Sequence, residues 1–388
     1  DLGAGLVLIL GNDEAPMNYR ANTYHFRQDS NFLYFFGLDQ PSLAGVLDVD
    51  ANEDFIFGDE LTMEDVVWTG PLPTIAEQAS QVGVTKTLPF SDLASMVKKA
   101  VEQGRIHSPP PYRYDNMILL SEMLGQPVAK LKENASVALI RAIVAQRSHK
   151  SAEEVAEMER AVDISGAMHI AVMKAAAAGK KEAELAGIAA GIATGMGGAL
   201  AYGIIMTING QVLHNHHHYN TLRSGQLLLG DHGAETHLHY AGDLTRTCPV
   251  DKTFTQRQKD VYNIVLDAEV SAIASLRPGL TYKEVHLAAA RRMAEGLKSL
   301  GLMKGDLDEA VAQGAHALFF PHGLGHMIGL DVHDMEDLGE NYVGYSDEVK
   351  RSDQFGTAYL RLGRALEPGF VLTVEPGCYI RPADNVSE

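Results

Sequence analysis

Short apolar runs at 6–10, 45–49 and 54–57 alternate with stretches of helical spacing at 91–102 and 115–124. Runs of that length predict strands, and their order with the helices predicts a small α/β domain over residues 1–147. Pro109, Pro110 and Pro111 mark a loop inside it. The pattern breaks at Arg147–Lys150. Ser151 then stands three residues before Glu154, a spacing at which each side chain caps the other's backbone N–H, so a long helix opens here. Val155, Met158, Val162, Met168 and Val172 recur along it at intervals that predict one buried face.

From 148 to 388 the pattern predicts helices at 182–194 and 257–276, and a third from the Thr281/Glu284 cap to about 299. Strands are expected at 202–208, in two arms joined by a turn within 226–247, and in the near-continuous apolar run Phe370–Val374. Helices laid against an antiparallel-leaning sheet make this an α+β domain. Residues 336–360 are polar and Gly-bearing and read as a surface excursion.

Composition narrows the classes. The balance of 32 basic and 50 acidic residues leaves a net charge of −18, spread along the chain, which argues against nucleic acid and anionic membranes as partners. Two cysteines in 388 residues exclude a disulfide framework and favour a reducing, cytoplasmic setting. The chain begins at Asp1 rather than Met, so an incomplete start is expected and an export signal is left open. Residues 186–206 carry no charge, but their glycines predict a helix followed by a strand instead of a membrane span.

Four residues imply a reaction. Asp231 ends the apolar run Leu227–Leu229, and Asp243 follows a turn in the segment AGDLTRT. A hairpin brings two such carboxylates together, where a cation would relieve their repulsion. His326 lies in HGLGHMIGLDVHD, which gathers His322, His326 and His333 among interleaved glycines, and Glu375 ends the apolar run before Pro376. Burying that carboxylate calls for a metal or a strong donor beside it. Three carboxylates and one imidazole form a hard set suited to Mn, Co, Fe or Zn at a hydrolytic centre. In the tract His214–Asn220, His214 is placed in the site and the other imidazoles on its rim.

These motifs, with LEPGFVLTVEPG, resemble the pita-bread metallopeptidases over roughly 148–380. The first half resembles the N-terminal domain of the aminopeptidase P and prolidase branch. The resemblance implies a pita-bread catalytic domain, a metalloaminopeptidase acting before proline, and two divalent ions, manganese foremost. It implies Asp231, Asp243, His326 and Glu375 as metal ligands. His214, His322 and His333 would bind substrate and stabilise the tetrahedral intermediate. A metal-bridged hydroxide would attack, Glu375 would also serve as base, and the chain would be a homo-oligomer acting on peptides with proline second. An Xaa-Pro dipeptidase, a non-catalytic binding protein and a creatinase-like hydrolase are the alternatives. Two departures stand out. The family's second glutamate ligand has no counterpart before Glu388, so it is expected beyond a truncated end. Asp231 and Asp243 are one residue further apart than the family spacing, so either a bulge in the turn at Glu235–His239 absorbs the difference or His232 replaces Asp231 as ligand.

Overall fold

The computed structural model describes residues 2–381, in two compact units, Asp1–Gln146 and Arg147–Glu388. Glu388, and any glutamate beyond it, lie outside the described residues. In the first unit a five-stranded mixed sheet runs in the order Lys86–Leu88, Glu53–Phe57, Ala44–Asp48, Leu6–Leu10, Ile106–His107. The Leu6–Leu10 strand is buried along its whole length; it pairs antiparallel with Ala44–Asp48 throughout and parallel with Ile106–His107 at Leu6 and Val7. Its partner strand carries Gly45, where a Cβ would lie 2.0 Å from the Phe36 ring, so only glycine lets that ring seat on the sheet. Leu8, Val46, Phe57, Leu93, Val97 and Leu120 close the core.

The second unit opens on the Ala152–Ala175 helix, with Ser151 and Glu154 forming the expected capping box. Its buried stripe is Met158, Ala161, Ser165, Met168 and Val172. Val162, expected inside, is 43% exposed, because small residues at 161 and 165 centre the stripe away from it. The Glu182–Gly195 helix follows, and its alanines 186, 189 and 193 let it pack closely on Ile164, Met168 and Val172. A three-stranded antiparallel sheet, Thr245–Pro249, Leu227–Asp231, Ile205–Thr207, lies beside this pair. No helix among the described residues is long and apolar enough to cross a membrane.

Two expected strands differ. Only Ile205–Thr207 of 202–208 is extended in a ladder. Phe370–Val374 forms no strand and is half-buried, with one isolated bridge, Met327↔Leu372. It bonds along a single edge: Ile328 N–H to Val371 O, Thr373 N–H to His326 O, and Glu375 N–H to Leu324 O. Gly325 makes that approach possible, since a Cβ there would stand 2.1 Å from Thr373 O, while Gly323 gives the same room to the backbone at Tyr359 and Leu360. The glycines of HGLGH thus admit other segments of the chain itself.

The Gln256–Ser275 and Tyr282–Ser299 helices pack together where Gly296 meets Ile264. On the second of them His286 is fully buried beside His316, the ring centroids 6.1 Å apart, with no hydrogen-bond partner for either imidazole. Burial first, then the neighbouring His316, His322 and Lys283, push His286 down to about 3 from an ordinary 6.5. The unfolded chain therefore binds a proton that the folded one refuses. The stability tied to a neutral His286 is complete above about pH 6.5 and is lost as pH falls toward 3. His286→Leu should flatten the urea-midpoint profile between pH 6.5 and 4; an unchanged slope would assign the acid sensitivity elsewhere.

Candidate metal centre

The site is built on the hairpin. Its pairing keeps one register from Asp231↔Thr245 to the Glu235↔Ala241 bridge, and the Thr236 N–H to Tyr240 O bond closes the loop. His239, at φ 66, supplies the left-handed residue that such a short turn needs. The irregularity expected from the long spacing is therefore confined to the turn, and the arms run true. They approach closely because Gly233 faces Gly242, where a Cβ would stand 1.8 Å from a carbonyl oxygen.

Asp231 and Asp243 converge on one hydroxyl. Tyr202 lies 2.7 Å from Asp231 Oδ1 and 2.8 Å from Asp243 Oδ1, and its single proton can serve only one of them at a time. Burial, and then the two carboxylates, hold the phenol well above its usual range, so it stays a donor. Sequence reasoning missed Tyr202, which sits in the uncharged, glycine-rich stretch read as a helix followed by a strand; a lone aromatic there carries no motif.

His326 occupies the centre. Its Nδ1–H donates to Met327 O at 2.9 Å, which turns Nε2 toward Asp243 Oδ2 at 3.3 Å and Glu375 Oε1 at 3.1 Å. Thr373 completes the arrangement: it accepts from the His326 N–H at 3.0 Å and donates to Glu375 Oε1 at 2.9 Å. Tyr282 O–H holds the Thr373 carbonyl at 2.5 Å. Asp243, His326 and Glu375 each bring a ligand atom within 4.8 Å of the others. Asp231 joins them through Tyr202 and not directly in that group.

The other imidazoles separate. His322 is half-buried, with Nε2 3.0 Å from Tyr379 O–H and Nδ1 2.8 Å from Gly323 O. Burial pulls its pKa down, with Glu375 opposing. His333 stands edge-on to His326 at 4.2 Å and bonds Glu336. His214, expected in the site, is exposed in a turn, with His216 as its ring neighbour at 6.4 Å. Its loop is anchored by fully buried Glu182, which accepts from Ile208 N–H and from both amide groups of Asn220. His232 points away from the acidic cluster, as strand alternation requires of a neighbour of Asp231. It stacks on His169 at 3.7 Å, is fully buried, and is pushed by that burial to about 3.

The electrostatics are those of a cation site. Burial opposes charge on His326, but its hydrogen bonds to Asp243 and Glu375 outweigh that and raise it to about 10. Asp243 is burdened by the same burial yet ends below its usual value, because His326 is its partner. Asp231, lacking one, is raised to about 7 by burial and then by Asp243. One protonated imidazole thus neutralises part of a three-carboxylate cluster and leaves Asp231 short of positive charge. A divalent ion in place of that proton would suit the oxygen-rich set of Asp243, His326 and Glu375, with Asp231 held beside it on Tyr202.

Comparison with known proteins agrees with this chemistry. Residues 156–387 match the model of metallopeptidase family M24, and residues 2–107 match that of the aminopeptidase P N-terminal domain. The chain is 34% identical to the Xaa-Pro aminopeptidase of Escherichia coli over 377 residues, covering 94% of this chain and 81% of that protein. It is 31% identical to the human Xaa-Pro dipeptidase over 385 residues, covering 97% and 76%. The solved aminopeptidase PepP of Pseudomonas aeruginosa superposes with a TM-score of 0.83 at 29% identity, over 99% of this chain and 84% of that one.

Proposed function

The chain belongs to metallopeptidase family M24, its pita-bread domain following an aminopeptidase P N-terminal domain, and on that premise we propose that it is a metal-dependent Xaa-Pro aminopeptidase. Its substrates are peptides with proline at the second position. The observation that carries the reading is His326, wedged between Asp243 and Glu375 at 3.3 and 3.1 Å with Asp231 held beside them on Tyr202.

Asp231, Asp243, His326 and Glu375 would hold the divalent ions, with manganese the first candidate and cobalt, zinc or iron alternatives. Bound there, such ions supply a Lewis acid for the scissile carbonyl and acidify a water. The chain's own residues do the rest. Glu375 accepts the proton that water gives up; Thr373, donating to one of its oxygens, fixes the orientation of the carboxylate. Tyr202 fixes Asp231 and Asp243 in the same way. His333, with its Nδ1–H given to Glu336, presents Nε2 to the substrate as an acceptor, and His322 has its nitrogens on Gly323 O and Tyr379 O–H. His214, on its anchored turn, lines the approach. The two free cysteines fit a reducing, cytoplasmic setting, and a homo-oligomer is carried over from the family.

The test uses the full-length protein with manganese and three peptides: an Xaa-Pro-Xaa tripeptide, an Xaa-Pro dipeptide, and an Xaa-Ala-Xaa control. Release of the first residue from the tripeptide, abolished by chelation, is expected. Cleavage of the dipeptide alone would move the chain to the dipeptidases, to which it is almost equally similar. Tight metal binding with no hydrolysis would favour a binding protein.

A further inference from the structure

The polar excursion at 336–360 is wired to the site, and this was invisible in its composition. His333 Nδ1 lies 2.6 Å from Glu336 Oε2. The other oxygen of Glu336 takes Arg361, whose guanidinium also binds Glu340 at 2.5 Å. Arg351 closes the series on Glu340. Four alternating charges thus run outward from one imidazole of the site. Met335, left-handed at φ 62, turns the chain so that Glu336 folds back over His333. Asp334 cannot follow, since it is buried on Arg147 and Lys150.

We propose that Glu336 is a positioning residue: it fixes His333 as the Nδ1–H tautomer and leaves Nε2 as the nitrogen presented to substrate. A carboxylate offers acceptors only, so the shared proton must sit on Nδ1. Glu336 is ionised throughout the working range, because the His333 hydrogen bond and then Arg361 hold it at about 2. Without it the ring would exchange between tautomers and rotate about its own axis, since its other ring contact among the described residues is the edge-on His326. The same logic orients imidazoles in other hydrolases through a carboxylate partner. The inference rests on the reading of His333 as a group that touches substrate.

Three variants separate the possibilities. Glu336→Ala should lower kcat at least about tenfold with KM within about twofold, the signature of a group acting at the transition state through another. Glu336→Gln keeps the shape but has one acceptor for two donors, His333 and Arg361, so it should recover only part of the loss. In histidine-selective ¹⁵N spectra, the ring signal absent from His333→Ala should report an Nδ1–H tautomer in the wild type and a mixture in Glu336→Ala. If His333→Ala lowers kcat while Glu336→Ala does not, the positioning role is wrong. If His333→Ala leaves kcat unchanged, the failure lies with the catalytic reading of His333 itself.

Discussion

Replacing His326 by alanine is expected to remove stoichiometric metal and to lower kcat/KM on an Xaa-Pro tripeptide by at least about 10³-fold, or about 4 kcal/mol of transition-state stabilisation. The size follows from its place. His326 is the one neutral-capable ligand among three carboxylates, and its Nε2 sits within 3.3 Å of two of them. Removing it leaves Asp231, Asp243 and Glu375 facing one another across a buried gap. The site then lacks its nitrogen donor, and like charges so placed repel and take up protons in competition with metal. Asp231 already shows the tendency, standing near 7 with the imidazole still present. His232→Ala is the matched control: its ring stacks on His169, away from the cluster, so metal content should stay at wild type. Metal analysis of dialysed protein, with kcat/KM measured alongside, decides the matter. Full occupancy in His326→Ala, or loss in His232→Ala, would transfer the ligand role.

The clustering of Asp243, His326 and Glu375 was legible in the sequence because these residues sit where local rules are strong. Asp231 follows three leucines, and a strand end beside a turn leaves few other places for it. The capping boxes at Ser151 and Thr281 appear as the spacing requires. What escaped was whatever depends on contacts remote in sequence. Tyr202 reaches Asp231 across 29 residues and Asp243 across 41, and no periodicity marks such a residue. Thr373 looked like one more member of an apolar run, yet its hydroxyl bridges His326 and Glu375. That run was read as a buried strand from composition alone. It bonds instead along one edge to the glycine-bearing 324–328 segment, a pairing that no window of hydrophobicity detects. Charge patterning in 336–360 suggested solvent, and the pairing of Arg361 with Glu336 across 25 residues shows why such patterning is ambiguous.

Asp334→Ala should destabilise the second unit by about 3–5 kcal/mol, the cost of leaving buried charge uncompensated. The Asp334 side chain is 1% exposed and binds Arg147 at 2.7 Å and Lys150 at 2.8 Å, whose own side chains are 3% and 1% exposed. Arg147 keeps Asp331 at 2.9 Å, but Lys150 is left with no carboxylate in reach among its described ion pairs. Asp334 also closes its own loop, its N–H donating to Met327 O, so the segment carrying His326 and His333 is fastened at this point. Burial works against the ionised carboxylate, yet the two cations outweigh it and hold the pKa below its usual 3.8. A depressed carboxylate stabilises above its unfolded pKa and loses that contribution as pH falls through the folded value. The gap between wild type and Asp334→Asn should therefore hold constant from pH 8 to about 5 and shrink only in stronger acid. Asn keeps the volume and can still accept a hydrogen bond, so what it removes is charge. Urea denaturation of both variants at pH 7 and pH 5 measures the effect. A loss below about 1 kcal/mol for both would mean that water reaches Arg147 and Lys150, and that packing rather than this ion cluster holds the metal-bearing loop in place.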